Sequence, residues 1–372
     1  MKITALDHVT VSIPVRPFAQ GGIAPYRGAR DPKGTSHAVS TLFKVTTASG
    51  AVGWGEMSPF LAPSIMTAVV EDYLKPRVIG RDLFRLSEIM ADFDPLYTPH
   101  LNTRVLAAGL EMALWDAIGR ETRRPIADFF GGRRRDTIAV AWCFGITGRQ
   151  ETVEFLARAR DAGVGCVKTK AGADIDADLE RADWLANAAG GSVAVRVDMN
   201  QNQSLADALR YVRGIEGMGF QFIEQPIAVN DPKGLRSLRY RGTTPIAINE
   251  DAYVPQQLLR LHQADAFDVA VLDLDHGGGL LSVARQAALA EEARIPLAQH
   301  CGWDLGIKVA AILQLSAALP VFSYEMDSTY FAHADDVLSK PLASDGGAFR
   351  VPEGPGLGVQ VDEAKVERYR VA

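Results

Sequence analysis

Residues 193–224 read VAVRVDMNQNQSLADALRYVRGIEGMGFQFIE and contain one complete structural repeat. Two short apolar runs, VAVRVD and FQFIE, end in Asp198 and Glu224 and are predicted to be strands. The segment between them, SLADALRYVRGIEGMG, carries apolar residues at helical spacing. A strand, a helix and a second strand in this order form the unit of a parallel sheet, in which the two strands lie side by side.

The same unit recurs along the chain from about residue 138. Eight strand candidates follow one another: IAVAWCF, GCVKTK, VAVRVD, FQFIE, PIAINE, DVAVLD, IPLAQH and PVFSYE. The last seven end in Lys170, Asp198, Glu224, Glu250, Asp273, His300 and Glu325, at spacings of 28, 26, 26, 23, 27 and 25 residues. So steady a repeat predicts β/α units that close into a barrel. Because no clear long helix follows the eighth strand, the predicted fold class is α/β, a modified (β/α)7β TIM-type barrel.

The remaining residues predict a second, α+β domain. Residues 1–60 contain strand patterns joined by a long loop rich in Gly, Pro and Arg, and residues 63–130 are largely helical. We expect an N-terminal capping domain at residues 1–132, completed by the C-terminal tail 330–372, and a catalytic barrel at residues 133–329.

The composition excludes several classes of protein. The 372 residues are 47% hydrophobic with a net charge of −6, which does not indicate a nucleic-acid partner. No apolar run reaches the ~18 residues of a membrane span, and the N-terminal residues alternate like a strand rather than a signal peptide. Three scattered cysteines predict buried free thiols in a reducing compartment. We therefore expect a cytoplasmic protein with no membrane partner.

Three carboxylates at the ends of neighbouring strands predict a metal site. Asp198, Glu224 and Glu250 follow one another at intervals of 26 residues, and in such barrels the carboxyl ends of the strands carry the functional residues. Three anions in one place repel one another unless a cation lies between them. Ligation by oxygen alone favours Mg²⁺ or Mn²⁺ over zinc. We expect one Mg²⁺ per site, with about three of six coordination positions left for substrate and water.

Four other strands end in the ionisable residues Lys170, Asp273, His300 and Glu325. Lys168 and Lys170 are two residues apart, so they point to the same face of their strand, roughly 6.6–7 Å apart. Their repulsion, together with a nearby divalent cation, favours loss of a proton from one of them; Lys170, nearer the mouth, is the expected base, and Lys168 the cation against a substrate carboxylate. Asp273 and His300 end adjacent strands and form a second acid/base pair. Glu325, if protonated, could donate a proton or hydrogen bond to a developing oxyanion. Alternatively, Glu325 forms a salt bridge with a neighbouring lysine or arginine.

This set of residues resembles that of the enolase superfamily, and its order resembles the mandelate racemase subgroup of the mandelate racemase/muconate lactonizing enzyme family. The matching motifs are KTK at 168–170, DMNQ at 198–201, EQP at 224–226, NE at 249–250, the aspartate of VLDLDHGGG at 273, QH at 299–300 and YE at 324–325. The resemblance covers nearly the whole chain. It implies Asp198, Glu224 and Glu250 as Mg²⁺ ligands, Lys170 and His300 as opposed acid/base groups, Asp273 as the histidine's partner and Glu325 as the electrophilic acid.

Two positions depart from the patterns of individual subgroups. Muconate-lactonizing relatives carry a lysine where this chain has Asp273, which disfavours that subgroup. The third metal ligand is open between Asn249 and Glu250, because some relatives ligate through the earlier residue. Alternation with Ile248 favours Glu250.

The resemblance implies removal of the proton α to the carboxylate of a small molecule, through an ene-diolate held by Mg²⁺ and Lys168. The resemblance favours dehydration of a sugar acid, because many relatives with this pattern resemble acid-sugar dehydratases. Racemisation or epimerisation is the alternative outcome, and a cycloisomerase is a further alternative. A homo-oligomer is expected. In the capping loop, Arg16, Arg30 and Lys33 could also meet substrate. The candidate substrate-binding residues are Asn200, Tyr26, Arg27 and Trp303.

Two other classes of function fit these residues less well. A lysine in a barrel could form a Schiff base, as in an aldolase, but that reaction leaves the three carboxylates without a role. A binding or structural protein without activity is disfavoured by the intact set of metal and acid/base residues.

Overall fold

The computed structural model describes residues 1–58, 62–93 and 104–371. Its N-terminal part is built on an antiparallel sheet of three strands in sequence order, β1 (Ile3–Pro14), β2 (His37–Thr47) and β3 (Val52–Met57). The helices of this part are α1 (Pro63–Ala68), α2 (Lys75–Val78), α3 (Leu86–Ala91) and α4 (Arg104–Thr122), with a π-helical segment, Val69–Leu74, joining α1 to α2. Together they enclose a core that is separate from the core of the barrel.

Helix α4 lies directly on the sheet because β3 carries glycine where the two meet. A Cβ at Gly53 would lie 2.1 Å from the carbonyl oxygen of Ala113, and a Cβ at Gly55 would lie 2.0 Å from that of Gly109. No other residue permits so close an approach without displacing the helix. Most of α4 is buried, which explains why its apolar residues are not confined to one face.

The second part is a nearly closed barrel of eight parallel strands. They are β4 (Thr137–Phe144), β5 (Cys166–Lys170), β6 (Ala194–Asp198), β7 (Phe220–Glu224), β8 (Ile246–Ile248), β9 (Val269–Leu272), β10 (Leu297–Gln299) and β11 (Met326–Ser328). Each of β4 to β9 pairs with the next strand in the chain, and β11 pairs with β4. A parallel bridge between Leu297 and Phe322 joins the two ends of the ring. The predicted fold class is confirmed.

Helices between the strands cover the outside of the barrel. They are α5 (Arg149–Asp161), α6 (Ile175–Ala189), α7 (Leu205–Gly214), α8 (Pro232–Arg239), α9 (Pro255–Gln263), α10 (Leu280–Ala293) and α11 (Gly306–Ala318). Several begin at a capping side chain. For example, Asp174 accepts hydrogen bonds from the backbone N–H groups of Asp176 and Ala177 at the start of α6.

The eighth strand differs from the prediction. The sequence pattern places it at PVFSYE, residues 320–325, but only Phe322 of that segment pairs with β10, and β11 begins at Met326. The chain therefore reaches the mouth of the barrel later than expected. This shift determines which acidic residue faces the site.

No long helix of the described chain follows β11, in agreement with the (β/α)7β pattern. Instead β12 (Ala348–Arg350) pairs antiparallel with the start of β4, and α12 (Glu363–Tyr369) packs against β1, where Arg370 bridges Val11. The tail thus contacts both parts. The domain division at residues 132 and 329, and the expected homo-oligomer, stay predictions. Within the described residues, no helix combines the length and the apolar character needed to cross a membrane.

Candidate active site

A cavity of about 220 Å³ lies at the carboxyl ends of the barrel strands. Its walls come from both parts of the chain, and five of the lining residues lie in the strand segments predicted from the sequence. The lining residues are Tyr26, Cys143, Lys168, Lys170, Asn200, Asn249, Tyr253, His300, Cys301, Gly302, Trp303 and Thr329. The structure therefore brings both lysines, the histidine and three of the four candidate substrate-binding residues into one site.

Lys168 is buried among carboxylates. Its Nζ lies 2.8 Å from Glu224, 2.8 Å from Asp327 and 3.4 Å from Asp198. Burial alone would favour the neutral amine, but the charges of Asp327, Glu224 and Asp198 outweigh it and raise the pKa of Lys168 well above its ordinary value. A raised pKa favours the charged form that was predicted for Lys168, and its role against a substrate carboxylate stays a prediction.

Lys170 stands one layer nearer the mouth. Its Nζ donates hydrogen bonds to Oδ2 of Asp198 at 2.6 Å and to Oδ1 of Asn200 at 2.7 Å. The expected role of Lys170 as a base relied on repulsion from Lys168 and on a nearby divalent cation. In the structure Lys170 contacts Asp198, and Lys168 also contacts Glu224 and Asp327. The position of Lys170 on the cavity wall still suits a base.

Asp273 and His300 form the predicted pair across the cavity. Oδ2 of Asp273 lies 2.5 Å from Nδ1 of His300. Burial opposes ionisation of Asp273, but the charge of Lys308 and hydrogen bonds from His276 and His300 hold the pKa of its carboxyl well below the ordinary value. An ionised Asp273 accepts a hydrogen bond from Nδ1–H of His300. Nε2 of His300 is therefore the nitrogen that gives or takes a proton.

Of the predicted metal ligands, Asp198 and Glu224 are neighbours in the barrel. They are register partners on β6 and β7, and both are fully buried. Burial, followed by the attraction of Lys168 and the repulsion of Asp198 and Asp327, leaves the pKa of Glu224 raised to about 7. This crowding of carboxylates is the condition that a bound cation relieves.

The third predicted ligand, Glu250, is not in the barrel strand. β8 ends at Ile248 and the chain enters a 3₁₀ helix at Glu250, so the alternation used to choose between Asn249 and Glu250 does not extend that far. Asn249 lines the cavity, whereas Glu250 reaches Nδ2 of Asn200 at 3.4 Å. Among the described residues, no three His, Cys, Asp or Glu side chains are grouped to hold a metal ion.

The donor chemistry nevertheless fits Mg²⁺ or Mn²⁺. All candidates offer oxygen, the preference of these hard cations. Oε2 of Glu250 is buried and accepts no hydrogen bond from the described residues, which is a costly arrangement for a carboxylate. By contrast, Asn249 uses Nδ2 on the carbonyl of Val271 at 2.9 Å and receives the hydroxyl of Tyr253 at 3.3 Å. These contacts make Glu250 the better candidate.

Glu325 is not brought to the cavity. Its Oε2 accepts hydrogen bonds from Arg196 at 2.6 Å and from Gln221 at 3.3 Å, and Gln221 lies near the amino end of β7. The predicted role as an electrophilic acid is therefore corrected to an ion pair deeper in the barrel. The cause is the later start of β11, which leaves Glu325 one layer below the site.

Asp327, two residues after Glu325, is the acid of this strand that contacts Lys168. It is fully buried, with Oδ2 on Lys168 at 2.8 Å and Oδ1 on Arg196 at 3.0 Å. The signal that could have found it is parity, since Asp327 lies two residues after Glu325 and shares its strand face. The cavity-lining residues Cys143, Tyr253 and Thr329 carry no comparable signal in the sequence.

The capping loop covers the mouth with an aromatic side chain. Tyr26 packs edge-on against Trp303, with ring centroids 4.8 Å apart, and the loop is fixed by a hydrogen bond from the N–H of Ile146 to the carbonyl of Arg27. The side chain of Arg27 is not part of the cavity wall. Trp303 follows the catalytic strand β10 with a left-handed backbone, φ 69°, an uncommon conformation for a bulky residue.

Comparisons with known proteins agree with this site and fold. The family model described as enolase C-terminal domain-like matches residues 151–365. The model of the mandelate racemase / muconate lactonizing enzyme N-terminal domain matches residues 21–131. The chain therefore belongs to the enolase superfamily and is an enzyme of that superfamily. Within it, the chain falls in the mandelate racemase/muconate lactonizing enzyme subgroup, as the sequence motifs indicate.

Individual relatives are similar over their whole length. The L-Ala-D/L-Glu epimerase of Bacillus subtilis is 26% identical over 370 residues, 96% of this chain and 97% of the relative. A chloromuconate cycloisomerase of Cupriavidus necator is 29% identical over 99% of both chains. The crystal structure of 2-chloromuconate cycloisomerase from Rhodococcus opacus 1CP superposes with a TM-score of 0.91 at 28% identity, over all of both chains.

Proposed function

We propose that this enzyme removes the proton α to the carboxylate of a small hydroxy acid, and that the reaction is dehydration of a sugar acid. One observation carries the proposal: Lys170 on β5 and His300 after β10 line the same cavity from different sides of the barrel. One way round the ring, β4 and β11 separate these strands; the other way, four strands do. Such a pair can act on two faces of one carbon skeleton.

The residues divide the work by position. Lys168 holds the carboxylate end of the substrate electrostatically, since its charge is permanent. The free amine of Lys170 takes the α-proton and becomes an ammonium group. The imidazolium of His300 gives its Nε2 proton to the departing β-hydroxyl, so that water leaves. When bound, a divalent cation held by Asp198, Glu224 and Glu250 would stabilise the negative charge that develops on the substrate carboxylate.

The polar groups of the cavity suit a hydroxylated substrate. Asn200, Tyr253 and Thr329 present amide and hydroxyl groups to its interior. Oγ1 of Thr329 is buried and has no hydrogen-bond partner among the described residues. A substrate hydroxyl would satisfy it.

Epimerisation is the second candidate. It is supported by the same two acid/base groups and by the similarity to the L-Ala-D/L-Glu epimerase. In that reaction Lys170 removes the proton from one face and His300 returns one to the other, with no loss of a hydroxyl.

A library of sugar acids with Mg²⁺, assayed for keto-acid formation and for α-proton exchange in D₂O, tests both candidates. Keto-acid formation supports dehydration. Exchange with inversion and without keto acid replaces dehydration by epimerisation. If no α-hydroxy acid gives keto acid or α-proton exchange, the proposal is contradicted.

A further inference from the structure

We infer that the substrate has a single carboxylate and an uncharged far end, which lies against Tyr26 and Trp303. This inference rests on the proposed function and narrows its substrate class to monocarboxylic acids. It follows from the positions and contacts of the basic side chains around the cavity.

The basic side chains that line the cavity, within the described residues, are Lys168, Lys170 and His300. Lys168 and Lys170 come from β5, and His300 is held by Asp273. The proposed function uses all three on the reacting end of the substrate, with Lys168 on its carboxylate, Lys170 on the α-proton and His300 on the β-hydroxyl. None is left for a second carboxylate.

The rest of the cavity wall, within the described residues, carries no charged side chain. It includes the aromatic pair Tyr26 and Trp303, the thiols of Cys143 and Cys301 and the hydroxyl of Thr329. These groups can pack against carbon or hydrogen-bond to a hydroxyl, but none can compensate a negative charge.

The basic residues of the capping loop, which could have met a second carboxylate, are directed elsewhere. Arg16 donates through Nη2 to the carbonyl of Phe331, and Arg30 and Lys33 are exposed. Arg27 docks through its backbone and is absent from the cavity wall. Arg181, buried behind β5, donates to Oγ1 of Thr169 and to the carbonyl of Lys170.

Outside the described residues, the sequence contains one histidine, His100, and no side chain that carries a permanent positive charge. The sequence of 59–61 is PFL, that of 94–103 is DPLYTPHLNT, and residue 372 is Ala. None of them is a lysine or an arginine.

A second carboxylate would therefore be buried without a partner. Carboxylates already dominate the surroundings, since Asp198, Glu224, Asp273 and Asp327 are all buried at this end of the barrel. Burying an unpaired anion near others is strongly unfavourable. A monocarboxylic acid avoids that cost, whereas a dicarboxylic acid of equal length does not.

The test compares aldonic acids with the aldaric acids of the same carbon skeleton, such as gluconate with glucarate and galactonate with galactarate. The readouts are kcat/KM and α-proton exchange in D₂O. We expect the monocarboxylic member of the reactive pair to be favoured by at least about 100-fold, since mismatched polar groups in a buried site discriminate strongly. Equal or better use of the dicarboxylic member overturns the inference but leaves the proposed function standing. No turnover and no exchange with either class overturns the proposed function, and the inference with it.

A matched pair of variants places the charge effect at the aromatic wall. Trp303→Arg adds a cation there, and Trp303→Gln removes the same ring without adding charge. We expect Trp303→Arg to raise the ratio of dicarboxylic to monocarboxylic kcat/KM by at least about tenfold over Trp303→Gln, as one paired charge would. An equal ratio in the two variants contradicts the placement of the far end at Trp303.

Discussion

Oδ2 of Asp327 lies 2.8 Å from Nζ of Lys168, while Glu325, two residues earlier, pairs with Arg196 one layer deeper. The acid that positions the catalytic-site lysine is thus Asp327. Asp327→Asn should lower kcat/KM by at least about tenfold, or ~1.4 kcal/mol, because Lys168 loses an anchor. Removing one partner of a buried pair should also cost roughly 3–5 kcal/mol of stability, visible as a lower urea midpoint.

Glu325→Gln is the control for that change. Its side chain is 26% exposed and lies outside the cavity, so we expect kcat and KM within about threefold of wild type, a difference below ~0.7 kcal/mol. Larger kinetic losses in Glu325→Gln than in Asp327→Asn would return the catalytic role to Glu325.

The two acid/base groups can be separated by isotope exchange. His300→Asn should stop dehydration yet still allow exchange of the substrate α-proton in D₂O, because Lys170 remains. Lys170→Ala should stop both, and each affected rate should fall by ~10²–10⁴-fold. Asp273→Asn should resemble a milder loss of His300, since the imidazole stays but its orientation suffers. Exchange retained in Lys170→Ala and lost in His300→Asn would mean that the roles are swapped.

Metal binding should depend on Glu250 more than on Asn249. Glu250→Gln removes a charge and a buried oxygen that has no donor among the described residues, whereas Asn249 is engaged by Val271 and Tyr253. Calorimetric titration of the metal-free protein with Mg²⁺ should show the larger loss of affinity for Glu250→Gln. The reverse order would assign the third ligand to Asn249.

EDTA should abolish activity of the wild-type enzyme, and Mg²⁺ should restore it.

Closure of the capping loop should depend on a glycine at the end of β4. A Cβ at Gly145 would lie 2.4 Å from the backbone nitrogen of Arg27 and 2.5 Å from its carbonyl oxygen. Gly145→Ala should displace the loop and raise KM, by roughly 5- to 150-fold if the strain is ~1–3 kcal/mol. Gly148→Ala, where a Cβ meets nothing within 4 Å, is the matched control. A wild-type KM in Gly145→Ala would show that the loop does not control substrate binding.

Acid should destabilise the protein partly through His333. Burial, aided by the charge of Arg16, lowers the pKa of His333 to about 3, and neither ring nitrogen has a hydrogen-bond partner among the described residues. In the unfolded chain the pKa returns to 6.5, so the unfolded state binds the proton first as pH falls. The free energy of unfolding therefore decreases as the pH falls from 6.5 to 3, by at most roughly 5 kcal/mol.

His333→Phe should remove that part of the pH dependence. Urea unfolding at pH 7 and pH 4.5 should show a smaller difference for the variant than for wild type. An equal difference would mean that His333 is accessible to protons in the folded state.

The order of strands and helices could be predicted from sequence because it depends on local patterns. The regular interval between strand-end residues fixed the number of units, and the identities of those residues indicated the metal and acid/base chemistry. Lys168, Lys170, Asp273 and His300 meet as predicted because parallel strands of one barrel must end on the same side.

Tertiary structure decided what local patterns leave undetermined. The choice of Asp327 over Glu325 depends on where β11 pairs with β4, a contact between residues nearly 200 positions apart in the chain. The position of Glu250 depends on where β8 ends, and the exclusion of Arg27 from the cavity depends on how the capping loop docks on Gly145. Alternation along a strand gives the face of a side chain but not its depth in the barrel, because depth is set by the register between strands and by packing across the two parts of the molecule.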